Sequence, residues 1–157
     1  MIISEVELKL LANEVCESLL LKTEASRTTI RADIVSFGID VDLALGEAVH
    51  EGVSKIANDG SIDQRSLETV KWLEVKRETL IQPKFNTAPA PPQALIDIYG
   101  VKAQMLGPVF VANVLVGWIS VHSLEERLWK DKDVAVLEAY TDSVRIFLAT
   151  LLDHLPT

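Results

Sequence analysis

The sequence contains a single cysteine and no long uninterrupted apolar run, and both absences narrow the class of protein. Cys16 has no second cysteine with which to form a disulfide in the chain. The longest apolar stretch, from Val109 to Val121, is interrupted by Asn113 and Gly117 and is too short to cross a bilayer as a helix. The N-terminus also lacks a basic region followed by an apolar signal segment. We therefore expect a cytoplasmic protein.

Positive charge is scarce, which argues against polyanionic partners. The chain has 15 Lys and Arg against 23 Asp and Glu, a formal net charge of -8. Its surface as a whole repels phosphate backbones and anionic lipids, so neither nucleic acid nor a membrane is expected as a partner. A hydrophobic content of 48% over 157 residues is enough for one well-packed core. We expect a single domain spanning residues 1–157.

Residue clusters that would mark a metal site or a catalytic centre are also missing. His50 and His154 are isolated, with no further ligand type at metal-binding spacing, so no metal is predicted. Asp59, His122 and Arg31 could form an acid–base set, but no nucleophile and base occur at a diagnostic spacing. We therefore predict no catalytic residue and no cofactor. An enzyme that acts on a small substrate stays an alternative.

Helical spacing of apolar residues predicts a helix near each end of the chain and two shorter helices between them. Ser4 can cap the first helix, with Glu7 completing a capping box. The turn at residues 59–61, which includes Asp59, is expected to cap the second helix. The four predicted helices cover residues 4–22, 61–75, 93–98 and 130–155.

Strands are predicted where side chains alternate or where β-branched residues cluster. Residues 26–34 alternate with period two and should form a strand with one polar face. Short strands are expected within 41–57 and over 78–82. The Pro-rich segment Asn86–Pro92 cannot supply enough backbone donors for a sheet or a helix, so we expect a semi-rigid loop that covers the site.

The most informative segment is the apolar hairpin from Tyr99 to His122 with the long helix after it. Its two runs are joined at Ala112 and Asn113, where asparagine tolerates the left-handed conformation of a tight turn. The hairpin and helix resemble the last third of a GAF domain, and the rest of the chain follows the same order of elements. The matching residues are Gly107, Pro108, Val109, Gly117, Trp118, Ile119, Ser120, Val121, Trp129, Asp133, Leu137 and Val144.

The resemblance implies an α+β fold with a central antiparallel sheet of five to six strands. Terminal helices would cover one face of the sheet, and the middle helices and loops would enclose a small-molecule pocket over the other. Bilin-binding members of the family need a cysteine in this pocket, and Cys16 lies in the wrong element. The several pocket cysteines of free methionine sulfoxide reductases and the Asn-Lys-Phe-Asp-Glu signature of cyclic-nucleotide members are also missing.

Alternation then predicts which side chains would face this pocket. The strands contribute polar and aromatic groups, with either Lys102 or Gln104 from the strand that begins at Val101. The polar segment 58–65 adds Asp59 and Gln64 near a helix start, where backbone amides favour anions. The predicted ligand-binding residues are Arg27, Thr29, Arg31, Asp59, Gln64, Gln104, Trp118, Ser120 and His122.

The arginines expected to face the pocket favour an anionic, planar ligand. A guanidinium facing a partly buried cavity needs an anion or acceptors, and its planar fork suits a carboxylate, sulfonate or nitrate. Trp118 could stack on such a ligand, and His122 could donate to it. The alternatives are that the polar face is solvated, that Arg31 pairs with a nearby aspartate, and that Trp118 fills the core.

Three classes of function follow from these observations. The first is a stand-alone GAF-like module that binds or senses a small molecule and passes the signal to a protein partner. The second is the enzyme named above, and the third is a dimerisation scaffold. The amphipathic terminal helices predict a homodimer in any of these cases, because their apolar residues exceed what one sheet face covers.

Overall fold

Four helices and five strands make up the part of the chain that this computed structural model describes, residues 3–153. His154 and Leu155 therefore lie outside the described residues. No helix within the described range is long and apolar enough to span a membrane. The helices are α1 (Glu5–Thr23), α2 (Glu68–Lys76), α3 (Gln93–Asp97) and α4 (Asp131–Asp153); the strands are β1 (Arg27–Ala32), β2 (Gly46–Val49), β3 (Leu80–Gln82), β4 (Ala103–Val111) and β5 (Val114–Ser123).

The first helix begins where its cap predicts. The Ser4 hydroxyl accepts a hydrogen bond from the backbone N–H of Glu7 at 3.1 Å and lies 3.1 Å from the Glu7 carboxylate. This satisfies one of the free N–H groups at the start of the helix. The helix ends at Glu24, whose backbone is left-handed with φ of 54°.

The second helix begins later than predicted. A 3-10 turn occupies Gln64–Ser66, and α2 starts only at Glu68, after an extended Leu67. The prediction of a helix from residue 61 capped by Asp59 is therefore wrong. The physical reason is local competition: the Asp59 carboxylate accepts from the N–H and hydroxyl of Ser61, and such side-chain bonds hold a backbone out of the helix.

The five strands form one antiparallel sheet in the order β2-β1-β5-β4-β3. Strands β1 and β5 are central, and Arg27 lies opposite His122 while Arg31 lies opposite Trp118. The edge strands β2 and β3 have four and three residues, which leaves little open edge for unwanted pairing. The tight turn predicted between β4 and β5 is confirmed, since Ala112 and Asn113 both have positive φ.

The sheet separates two apolar layers. On one face, α1 and α4 pack over a core that includes Cys16, Leu19, Ile119 and Leu137. On the other face, α2 covers a smaller core around Trp118. The predicted α+β architecture, with terminal helices on one face of an antiparallel sheet, is confirmed.

Close packing brings α1 directly onto β2. A Cβ added at Gly46 would lie 2.6 Å from the carbonyl carbon of Ala12, so only glycine allows this approach. The Thr28 hydroxyl also donates to the Cys16 carbonyl at 2.7 Å, which ties β1 to the same helix. These two contacts hold α1 against the neighbouring strands β1 and β2.

Candidate functional site

A small cavity lies on the face of the sheet away from α1 and α4. Its volume is about 50 Å³, which is room for a few water molecules. The floor is made of side chains from three strands, and the walls come from segment 56–70 and from the region of α3. The floor residues are Thr29, Arg31, Gln104, Leu106, Trp118, Ser120 and His122.

Every predicted ligand-binding residue except Arg27 lines this cavity. Asp59 and Gln64 reach it from the wall, and Gln104, rather than Lys102, reaches it from β4. Arg27 lies on the same face of β1 but is fully buried behind the cavity. Period-two alternation in β1 and β5 therefore places these side chains together, as the polar face of each strand requires.

Tyr99 and Leu95 are wall residues that the sequence analysis missed. They line the cavity together with Pro92. The spacing of positions 92, 95 and 99 is the spacing of one helical face, and this is the signal that could have identified them. The Pro-rich segment thus contributes its last residue to the wall, while its buried Pro89 carbonyl accepts from the Gln82 side chain at 2.8 Å.

Arg31 is the cationic group of the cavity. Its side chain is 5% exposed, and its Nη1 donates to the carbonyls of Val41 and Asp42 at 2.9 and 3.0 Å. Burial lowers the pKa of Arg31 from its ordinary value, although a guanidinium keeps its charge in proteins. No carboxylate within residues 3–153 forms an ion pair with it, so the alternative pairings with Asp33, Asp59 or Asp97 do not occur.

His122 lies between Arg27 and the cavity. The Nη1 of Arg27 is 3.1 Å from Nδ1 of His122. Burial, reinforced by the positive charges of Arg27 and Arg31, lowers the pKa of His122 to about 3. The imidazole is therefore neutral at physiological pH and is a poor general base there, which removes the support for the acid–base set proposed from the sequence.

Hydroxyl groups complete the polar floor. The Thr29 Oγ1 atom is buried and has no hydrogen-bond partner within the described part of the chain. Ser120 lies opposite Thr29 on β5, and both line the cavity. A buried hydroxyl without a partner is unfavourable, which makes Thr29 Oγ1 an unused hydrogen-bonding group on the cavity floor.

Trp118 is both a cavity wall and a core residue. It is 2% exposed and packs with Val70, Leu73 and Leu115 in the smaller core. The Arg65 guanidinium lies 6.0 Å from the centre of its ring. Arg65 itself forms ion pairs with Asp33 and Glu74.

Asp59 and Tyr99 close the outer edge of the cavity. The Tyr99 hydroxyl donates to Asp59, joining the segment after β2 to the segment after α3. Hydrogen bonds from Ser61 and Tyr99 lower the pKa of Asp59 to about 2. The Tyr99 pKa is raised by the same contact. The carboxylate is therefore ionised and occupied by donors at the rim.

Gln104 on the floor and Gln64 in the wall each have a structural partner. The Gln104 amide donates to Gln82 at 2.9 Å. The backbone N–H of Gln64 donates to Asp42 at 3.0 Å. Among residues 3–153, no three His, Cys, Asp or Glu side chains are grouped so as to hold a metal ion.

Comparison with known proteins identifies the fold. Neither the models of known protein families nor a comparison with curated protein sequences gives a match. Among solved structures, the chain is similar to the phycocyanobilin-bound GAF domain from a cyanobacterial phytochrome, with a TM-score of 0.75 and 15% identity over 96% of this chain and 89% of that one. It is also similar to the blue-light absorbing form of the PixJ GAF domain from Thermosynechococcus elongatus, with a TM-score of 0.70 and 15% identity over 99% of both chains.

The similarity covers nearly the whole described chain. A second structure of a cyanobacteriochrome receptor PixJ gives a TM-score of 0.74 with 16% identity, over 94% of this chain and 99% of that one. At these identities the likeness is one of fold. The chain has the GAF fold, and the resemblance found in its last third is confirmed.

Proposed function

We propose that this chain is a single GAF-like domain of the cytoplasm that binds a small planar oxyanion in the cavity, as a sensing or binding module. The observation that carries this proposal is Arg31. It is a buried cation on the cavity floor whose only hydrogen-bond partners within residues 3–153 are two backbone carbonyls. An anion in the cavity would compensate its charge through a charge-assisted hydrogen bond.

The neighbouring groups support an anion over a neutral ligand. His122 is neutral and lines the cavity beside Arg31, and the unpartnered Thr29 hydroxyl can turn its proton toward an acceptor. Two donors and a cation therefore converge on a small volume, while the Asp59 carboxylate that also lines the cavity is occupied at the rim by donors from Ser61 and Tyr99. A carboxylate or a nitrate is planar and has the acceptor geometry that fits such a set.

Cavity size sets the class of ligand. About 50 Å³ accommodates a group as small as nitrate or formate. A larger planar metabolite would enter only if the Asp59–Tyr99 contact at the rim opened. The structurally similar proteins include a phycocyanobilin-bound domain, but Cys16 is a residue of α1 that is buried in the core between the terminal helices and the sheet, across the sheet from the cavity. A bilin attached through this cysteine is therefore not part of the proposal.

Calorimetric titration of the purified protein with sodium nitrate and sodium formate tests the proposal. Formamide, which is neutral and of similar size, is the control ligand, and a bulky buffer anion avoids competition. We expect saturable binding of at least one anion and none of formamide. The Arg31→Gln variant should weaken binding by about 2 kcal/mol, the value of a hydrogen bond to a charged group.

Arg145→Gln is the matched control for this variant. Arg145 is exposed on α4 and pairs with Asp142, far from the cavity wall, so its loss removes the same charge and should leave affinity unchanged. Native mass spectrometry of the protein as purified would show whether a larger ligand is carried instead. Equal binding of nitrate by the wild type and by Arg31→Gln would reject this site.

We also propose that the protein is a homodimer through α1 and α4, which would let a ligand signal reach a partner protein. Leu148 and Leu151 of α4 are buried in the core. The exposed apolar residues of the two helices include Val6, Leu10, Leu11 and Leu21 on α1 and Ile146 on α4. A mostly apolar groove of about 350 Å³ runs between the two helices. Such a surface favours association.

Analytical ultracentrifugation tests the dimer. We expect a species of twice 17.3 kDa at micromolar concentration, and a shift toward monomer in Leu10→Glu. Ile81→Glu, an exposed apolar residue on the edge strand β3, is the matched control. A wild-type protein that sediments only as a monomer would reject the dimer.

A further inference from the structure

Arg27 was predicted to bind the ligand, yet it lies behind the cavity. It is the first residue of β1, it is fully buried, and it does not belong to the lining. Its Nε and Nη2 donate to the Ser54 carbonyl at 3.2 and 2.6 Å, and its Nε is 3.8 Å from the Glu47 carboxylate. These contacts fix the guanidinium and leave Nη1 directed at His122.

The chemistry of the two groups fixes the direction of the hydrogen bond between Arg27 and His122. A guanidinium carries donors and no acceptor, so Nη1 must donate and Nδ1 of His122 must accept. A neutral imidazole that accepts at Nδ1 carries its proton on Nε2. A doubly protonated ring would direct N–H against N–H at 3.1 Å, which agrees with the low pKa of this histidine.

The Nε2 proton is then the ring's donor toward the cavity. His122 lines the cavity. Within residues 3–153 the ring forms its hydrogen bond through Nδ1, and Nε2 has no acceptor there. We propose that Arg27 is a specificity-determining residue of the site: by holding His122 in the Nε2–H tautomer, it makes the cavity a site for hydrogen-bond acceptors. This inference rests on the proposed anion site and adds the residue that sets its selectivity.

The consequence is that Arg27 discriminates between ligands that it does not touch. With Nε2 protonated, the cavity presents a donor beside the Arg31 cation and favours an oxyanion. In the opposite tautomer the ring would present a lone pair there, which repels an anion and accepts from an ammonium or an amide N–H. The buried Glu47, cross-strand neighbour of Thr29, balances the charge of Arg27 without entering the lining.

Two-bond ¹H–¹⁵N NMR correlation of the imidazoles at pH 8 reads the tautomer directly. In the wild type we expect the His122 signals of a ring with unprotonated Nδ1 and protonated Nε2. A protonated Nδ1 would overturn the proposal whether or not any anion binds. Exposed His50 supplies the reference for a ring in solvent.

Variants at Arg27 then test the cause. Arg27→Met removes the donor but leaves Glu47 buried and unpaired, so the double variant Arg27→Met/Glu47→Gln is made beside it to keep the local charge balanced and the fold intact. In the double variant we expect a mixture of tautomers and a roughly tenfold weaker nitrate affinity, the effect of one lost hydrogen bond to an anion. Arg27→Lys retains a donor and should restore the Nε2–H form.

The outcomes separate the two proposals. A double variant that stays entirely in the Nε2–H form, or that binds nitrate as the wild type does, would overturn the role of Arg27. A wild-type protein with the Nε2–H tautomer that binds neither nitrate nor formate would instead reject the proposed ligand while supporting the Arg27–His122 contact. Restoration of both the tautomer and the affinity in Arg27→Lys would support both.

Discussion

His122 is the buried titratable group that should make the stability of this protein depend on pH. Its ordinary pKa is 6.5, and burial beside Arg27 and Arg31 lowers the pKa to about 3. Below pH 6.5 the unfolded chain therefore takes up a proton that the folded chain does not accept until about pH 3. Acid should destabilise the protein through this residue, because stability falls wherever the unfolded state binds more protons.

The size of the effect follows from the two pKa values. At pH 7 almost none of the free energy of unfolding has been lost through His122. At lower pH the loss approaches about 1.4 kcal/mol per pH unit. Between pH 7 and pH 5 the free energy of unfolding should fall by about 2 kcal/mol through this residue alone. Other groups contribute to the total, so a variant without the imidazole is needed.

The variant is His122→Asn, whose amide oxygen lies near the position of Nδ1 and can accept from Arg27. It keeps the buried hydrogen bond and removes the titration. Urea unfolding curves at pH 7, 6 and 5, in a constant concentration of one bulky buffer anion, give the free energies, since a bound ligand would itself stabilise the fold. His50→Asn, at an exposed position, controls for the loss of a histidine as such.

We expect the wild type and His50→Asn to lose about 2 kcal/mol more than His122→Asn between pH 7 and pH 5. Parallel curves for all three proteins would refute the reasoning. They would mean that His122 takes up its proton equally in the folded and unfolded chains, and that the ring is not held between Arg27 and the cavity.

Two further substitutions test the packing of α1 on β2 and the ion pair between Arg127 and Asp133 at the start of α4. Gly46→Ala should lower the free energy of unfolding by about 2 kcal/mol, because its Cβ would collide with Ala12 of α1. The control is Gly60→Ala, where the new Cβ meets only a flexible side chain at 3.3 Å. Equal urea midpoints for the two variants would contradict the close packing. Asp133→Asn should cost about 2 kcal/mol, since the buried carboxylate accepts from Arg127 at 3.1 Å; an unchanged thermal midpoint would show that this pair contributes nothing.

The sheet and most of the site floor could be predicted because they follow from local patterns. Alternation in β1 and β5 identified Thr29, Arg31, Ser120 and His122, since a strand places every second side chain on one face. The turn at Ala112–Asn113 was visible from turn chemistry alone. These features depend on neighbouring residues, which a single sequence contains.

The features that were missed depend only in part on residues distant in sequence. The late start of α2 follows from the local bonds between Asp59 and Ser61. The 3-10 turn before it is also held by the Gln64 N–H, which donates to Asp42, 22 positions away, and no helical pattern reveals this contact. The helical spacing of positions 92, 95 and 99 could have identified Tyr99 as a wall residue, but its contact with Asp59, 40 positions away, could not be read from a local pattern. Arg27 has the same alternation as Thr29, and only three-dimensional packing separates a lining residue from one behind it.

Strand β5 contributes side chains to both faces of the sheet. Trp118, Ser120 and His122 line the cavity, while Ile119 and Val121 between them belong to the core under the terminal helices. Changes in length and changes in identity should therefore have very different effects here. A substitution alters one face, but deletion of a single residue would turn the remaining strand over, sending the imidazole into the apolar core and the isoleucine into the polar cavity. Among natural variants of this chain, we expect insertions and deletions to be confined to the loops, with the strand retaining its length.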